Sequence, residues 1–199
     1  MLNLRAKKEA AVRAAAAQAA AQAASPLPPG SRPAPLQRAH SIRTLTVIKD
    51  LEKLDLPNTV RLVHPNPTII REFYLILSPD AGIWTGGHFK FYFSFPADYN
   101  LHPPMVRCQT QILHPNIDHE GHVCLNILRD MEWTAVMDVQ SVVFGLLLLF
   151  YEPNVSDPLN IEAAEEMKAN LEAFKQKVRR TFQGGNWDGF QYERQPIRY

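Results

Sequence analysis

Residues Arg71–Pro96 read REFYLILSPDAGIWTGGHFKFYFSFP. Two runs rich in aromatic and aliphatic residues flank SPDAGIWTGG, whose Pro79, Asp80 and glycines favour a turn, so the stretch is predicted to form two antiparallel strands. The alternation sends every second side chain to one face. The same pattern recurs on either side, in TVRLVH (Thr59–His64) and in MVRCQT (Met105–Thr110), which makes a meander of four antiparallel strands the expectation.

Helical patterns bracket this meander. In LQRAHSIRTLTVIKDLEKLDLP the apolar residues Leu36, Ile42, Leu45, Ile48, Leu51 and Leu54 recur at three- and four-residue steps, with Pro57 as a stop. Arg38, Arg43, Lys49 and Lys53 are left for a solvated basic face, and the helix is expected to lie across one face of the sheet. Downstream, Asp138 is a good N-cap for the run Val139–Phe150, apolar almost all round and therefore expected to be central. A proline-broken loop, EPNVSDPLN, leads into IEAAEEMKANLEAFKQKVRRTF, two helical segments or one bent one. The order describes an α+β domain: a four-stranded antiparallel sheet, an N-terminal helix on one side, a central helix packed on the sheet, and C-terminal helices.

Residues 1–24 are dominated by alanine, a strong helix former with little to bury, and are expected to be a loosely attached arm. SPLPPGSRPAP, residues 25–35, holds five prolines and reads as a semi-rigid linker. The domain is assigned to 36–184 and a tail to 185–199. Glu9, the glutamines and the lack of serine in the arm argue against an organelle-targeting peptide.

Lys plus Arg number 21 and Asp plus Glu 20, a net charge of +1, so the balance calls for neither nucleic acid nor an anionic membrane. Cys108 and Cys124 are the two cysteines and do not form a disulfide scaffold, which suits a reducing compartment and makes cytoplasm and nucleus the expected location.

The chemistry concentrates in HPNIDHEGHVCLNIL, His114–Leu128. A zinc site is disfavoured, because His114, His119, His122 and Cys124 do not repeat paired ligand spacing. Cys108, inside a strand-like run, reads as core. Cys124 follows a glycine turn and precedes the apolar LNIL, where a surface segment turns inward. Its thiol is either a small buried hydrophobe or a nucleophile able to hold an acyl group as a thioester. Asn116, eight residues upstream, carries an amide that either donates to an oxyanion or braces a turn.

The combination of HPNI, GHVCLNIL, the following EW, the apolar run and DPLN, with YNLHPPMV just ahead, resembles the ubiquitin-conjugating enzyme family over about Leu36–Phe182. The resemblance implies that family's α+β fold and its activity: acceptance of a ubiquitin-like modifier from an activating enzyme as a thioester, then transfer to a lysine. The opening MLNL, the Pro-rich linker, CLNILR, EPNVSDPLNIEAAE and GGNWDGFQYER are most similar to members that charge a NEDD-type modifier.

By the resemblance, Cys124 is the thioester-forming nucleophile, Asn116 an oxyanion donor or loop holder, and Asp157 the acid that orients the incoming lysine. His114, Pro115, Leu125 and Asn160 support the loop and groove. Arg38, Arg43, Leu101, Trp133, Thr134 and Ala135 fall on the face for the activating enzyme and a RING-type ligase. Met1, Leu2 and Leu4 match a docking segment for the heterodimeric activating enzyme and a Dcn-type co-ligase. The acceptor implied is a cullin, and no metal or cofactor is expected, ATP being consumed by the activating enzyme. Two departures stand out: Ala135 where the family usually has proline, and Leu113 where it usually has tyrosine. Charging of ubiquitin itself, and a binding-only protein of the same fold, are the competing readings.

Overall fold

A computed structural model describes residues 35–66 and 68–195, with the backbone alone over 35–43. The chain runs α1 (Pro35–Lys53), β1 (Val60–Val63), β2 (Glu72–Leu77), β3 (Phe89–Ser94), β4 (Met105–Cys108), a 3-10 turn (Asn126–Leu128), α2 (Val139–Tyr151), α3 (Ile161–Ala169), α4 (Leu171–Thr181), β5 (Gly185–Trp187) and β6 (Phe190–Tyr192). The first four strands form one antiparallel sheet in the order β1-β2-β3-β4.

Register follows from the alternation. Phe73 pairs with Phe93, Leu75 with Phe91 and Leu77 with Phe89, all buried on one face. The Phe73 and Phe93 rings stack at 5.0 Å, a cross-strand contact that adds to simple area burial. Phe150 of α2 lies 5.0 Å from Phe89 and 6.1 Å from Phe91, so the central helix covers that face.

Three expectations need correction. Leu45 is half exposed, whereas Val47 is buried beside Ile48 and Leu51. A strict three-residue step rotates about 60° per repeat around a 3.6-residue helix, so Leu45 ends about 120° from Leu51, whereas Val47, about 40° from Leu51, takes the inner position. The helix itself ends at Lys53, before Pro57. Finally, α2 is not apolar because it is enclosed: Phe144, Leu148 and Tyr151 stand on a solvent-facing stripe at the four- and three-residue steps of one helix side.

The C-terminal helical region resolves into α3 and α4, each capped by an asparagine: Asn160 Oδ1 accepts from the Ala163 N–H and Asn170 Oδ1 from the Ala173 N–H. The tail continues as the hairpin β5–β6, and its Tyr192 side chain is buried in the domain.

Candidate active site

The segment from β4 to α2 positions Cys124 by backbone geometry. Gly121 has φ +82°, and a Cβ there would fall 2.0 Å from the Cys108 carbonyl oxygen, so only glycine fits. This close approach lets the Cys108 N–H donate to the Gly121 carbonyl at 2.8 Å, fastening the turn to β4. Asp118 closes the turn by accepting from the Glu120 and His122 N–H groups at 3.0 and 2.8 Å and from the His122 ring at 2.8 Å. Partial burial pushes the Asp118 carboxyl upward, but the His122 hydrogen bonds outweigh it and hold the group below its ordinary value.

Both histidines of the turn are engaged by other side chains. His122 is exposed but engaged by Asp118 and by Arg107. His119 lies face to face with Phe190 of the tail hairpin, ring centroids 3.4 Å apart.

Beneath the loop, His114 is fully buried between Trp84, stacked at 4.2 Å, and Phe150. Nε2 donates to the Leu149 carbonyl at 3.0 Å and Nδ1 accepts from the Asn116 N–H at 2.9 Å, the neutral tautomer with its proton on Nε2. Burial pushes its pKa down to about 3. Both ring nitrogens are spent on protein groups. The Pro115 carbonyl accepts from the N–H groups of Leu159 and Asn160, which joins the loop to the segment before α3. Leu113, where the family usually has tyrosine, is buried and accepts from the Trp84 indole at 2.9 Å through its carbonyl.

Asn116 is buried, and its carbonyl accepts from the Cys124 N–H at 2.8 Å. Its side chain clamps Asn154 from both sides: Nδ2 donates to the Asn154 carbonyl and Oδ1 accepts from the Asn154 N–H, each at 2.8 Å. Asn154 in turn accepts through Oδ1 from the N–H groups of Ser156 and Asp157. One hydrogen-bonded relay thus runs from the Cys124 backbone to Asp157.

Cys124 is half-buried. Its thiol accepts from Arg129 Nη2 at 3.7 Å, and the same nitrogen lies 3.3 Å from Asp157 Oδ2. A guanidinium cannot accept a proton, so the thiol's neighbour is a cation rather than a general base. Leu125 packs over Gly145 of α2, where a Cβ would come within 3.0 Å of its methyls.

On the adjoining face Leu101 is 63% exposed, and Thr134 and Ala135 are exposed as well. Trp133 is instead buried, its indole donating to the Asn100 carbonyl at 2.9 Å, while Asn100 Nδ2 donates to the Ala135 carbonyl at 3.2 Å. Trp133 therefore holds this loop from within. Arg38 and Arg43 belong to α1 by backbone, and Met1, Leu2 and Leu4 lie outside the described residues.

Sequence reasoning missed Arg129, Asn154 and Trp84. Asn154 carried a signal, since an asparagine ahead of a serine in a proline-bounded loop favours an Asx turn. Arg129 carried only its charge.

The family model described as ubiquitin-conjugating enzyme matches residues 46–182, and the chain belongs to that family. It is thus a transferase of the conjugating type. The Nedd8-conjugating enzyme UbcE2M of Drosophila melanogaster is 43% identical over 156 residues, covering 78% of this chain and 86% of that one. A NEDD8-conjugating enzyme UBC12 of Eremothecium gossypii is 47% identical over 151 residues, 76% of this chain and 82% of that one. The solved structure of S. cerevisiae Ubc12 superposes with a TM-score of 0.70 at 38% identity, covering 77% of this chain and 85% of that one.

Proposed function

We propose that this chain conjugates a NEDD8-type modifier: it takes the modifier from a heterodimeric activating enzyme as a thioester on Cys124 and passes it, with a RING-type ligase, to a lysine of a cullin. The observation that carries the reading is a half-exposed thiol on a braced loop with Arg129 and Asp157 beside it. The NEDD8-conjugating relatives support the choice of modifier.

In charging, the Cys124 sulfur attacks the thioester carbon presented by the activating enzyme. A new carbon–sulfur bond forms, the old one breaks, and the departing sulfur takes the proton that Cys124 gives up. In transfer, an uncharged lysine amine attacks the same carbon, the bond to Cys124 breaks, and the amine's proton goes to the released sulfur. A thioester is already activated, so a positioned amine suffices, and placement carries most of the rate. Asp157 orients the amine and favours loss of its extra proton.

Surfaces fit the same reading. Leu125 packs over Gly145 of α2, and the same helix exposes Phe144 and Leu148, an apolar stripe on which a covalently held modifier can rest. Leu101, Thr134 and Ala135 form the face assigned to the activating enzyme and ligase, and Met1, Leu2 and Leu4 are assigned to docking on the activating enzyme and a Dcn-type co-ligase.

The test is a charging assay with ATP, NEDD8 and its activating enzyme, run beside ubiquitin with its own. The expected product is a reductant-sensitive adduct with NEDD8, converted to a reductant-resistant ester by Cys124→Ser. An adduct with ubiquitin alone would transfer the assignment to the ubiquitin pathway.

A further inference from the structure

Among the described residues Arg129 is the cation placed between the nucleophile and the acid of this site, and its backbone is fixed. Its N–H donates to the Asn126 carbonyl at 2.9 Å, and its carbonyl accepts from Glu132 and Trp133 at 2.9 and 3.0 Å. The side chain, by contrast, is 53% exposed and meets an Asp157 that is 70% exposed. An ion pair so exposed is readily exchanged. A single nitrogen, Nη2, serves both the Cys124 sulfur and the Asp157 carboxylate.

We propose that Arg129 acts with opposite sign in the two half-reactions, assisting the sulfur during charging and masking Asp157 from the acceptor amine during transfer. This rests on the conjugating function proposed above. During charging, negative charge develops on the Cys124 sulfur as it releases its proton and attacks. A guanidinium N–H already aimed at that sulfur follows the charge without reorganisation.

Once acylated, the sulfur carries no charge and is a weak acceptor, so the anionic partner left to Arg129 is Asp157. The incoming lysine needs that carboxylate and must displace the guanidinium to use it. The leaving sulfur of transfer gains little from Arg129, because a thiolate departs from the tetrahedral adduct more readily than an amine, and the amine's attack sets the rate.

The experiment measures single-turnover charging and, separately, discharge of the isolated thioester onto free lysine. For Arg129→Ala, charging is expected to slow about tenfold, the effect of losing one charge-assisted hydrogen bond. Discharge is expected to quicken roughly two- to fivefold, the size of an exposed ion pair. That gain should vanish in the Asp157→Asn background, because the two effects share one contact. Arg129→Lys, a point cation, should recover part of the charging rate.

Equal slowing of both half-reactions, or faster discharge that survives Asp157→Asn, would overturn the proposal. Alkylation of Cys124 by iodoacetamide needs no modifier and is expected to slow in Arg129→Ala. A chain that neither NEDD8 nor ubiquitin charges would defeat the functional reading. Equal alkylation rates in wild type and Arg129→Ala would defeat this one.

Discussion

His114 carries charge-sensitive stability without touching the thiol chemistry. Its ring is buried and neutral, with a pKa near 3 against an unfolded value of 6.5. Between those values the unfolded chain binds more protons than the folded one, so stability must fall as pH drops from about 6.5 toward 3. One proton accounts for at most about 1.4 kcal/mol per pH unit. Asp118 adds a separate loss at lower pH, because its depressed carboxyl stabilises the fold above the usual carboxylate range and ceases to do so as it protonates. Urea unfolding from pH 7.5 to 4.5 should show the wild-type decline, and His114→Asn should lack it whatever its absolute stability. The same slope in both would assign the protons elsewhere.

At the scale of elements, the Asn116 amide joins the loop before Cys124 to the one before α3. From sequence its donor was equally consistent with an oxyanion or a turn brace. Folding directs both of its polar atoms to Asn154, whose backbone would lose two buried partners in Asn116→Ala. Asn154 is itself exposed, so water replaces part of what is lost, and each of the two part-buried hydrogen bonds contributes about 0.5–1.5 kcal/mol, which for a chain of this size lowers Tm by roughly 2–4 °C per kcal/mol. A depressed Tm with slower transfer is therefore expected. Unchanged Tm with transfer reduced a hundredfold would instead mean that the amide acts at the oxyanion. The partner was illegible in sequence because a contact across 38 residues depends on how two loops meet, not on either loop's composition.

Across the whole molecule, the tail hairpin ties distant parts together. Phe190 stacks on His119 of the active-site turn, Lys177 of α4 pairs with both Asp188 and Glu166, and Gln195 Oε1 accepts from the His88 N–H. The tail thus braces the turn from outside while His114 supports it from below. Removing one aromatic face costs about 0.5–1.5 kcal/mol. Phe190→Ala should accordingly speed amide exchange at Glu120 and His122 by roughly threefold to tenfold, leaving the Phe91 and Phe93 amides of β3 unchanged. Exchange that stays slow at Glu120 and His122 would show that the turn is maintained without the tail.

What the sequence determined by itself was periodic or local. The two-residue alternation defined four strands, Asp138 marked the start of α2, and the order of motifs around Cys124 pointed to the family. Strand pleating, capping and turn formation act within a few residues, so they leave a readable pattern. The tertiary structure decided the rest: which side of α1 is inward, that α2 keeps an exposed apolar stripe, that Asn116 holds Asn154, and that Arg129 stands between Cys124 and Asp157. Each depends on where a side chain ends after elements far apart in sequence have packed, and steric fit and the demand for hydrogen-bond partners settle that only in the assembled core.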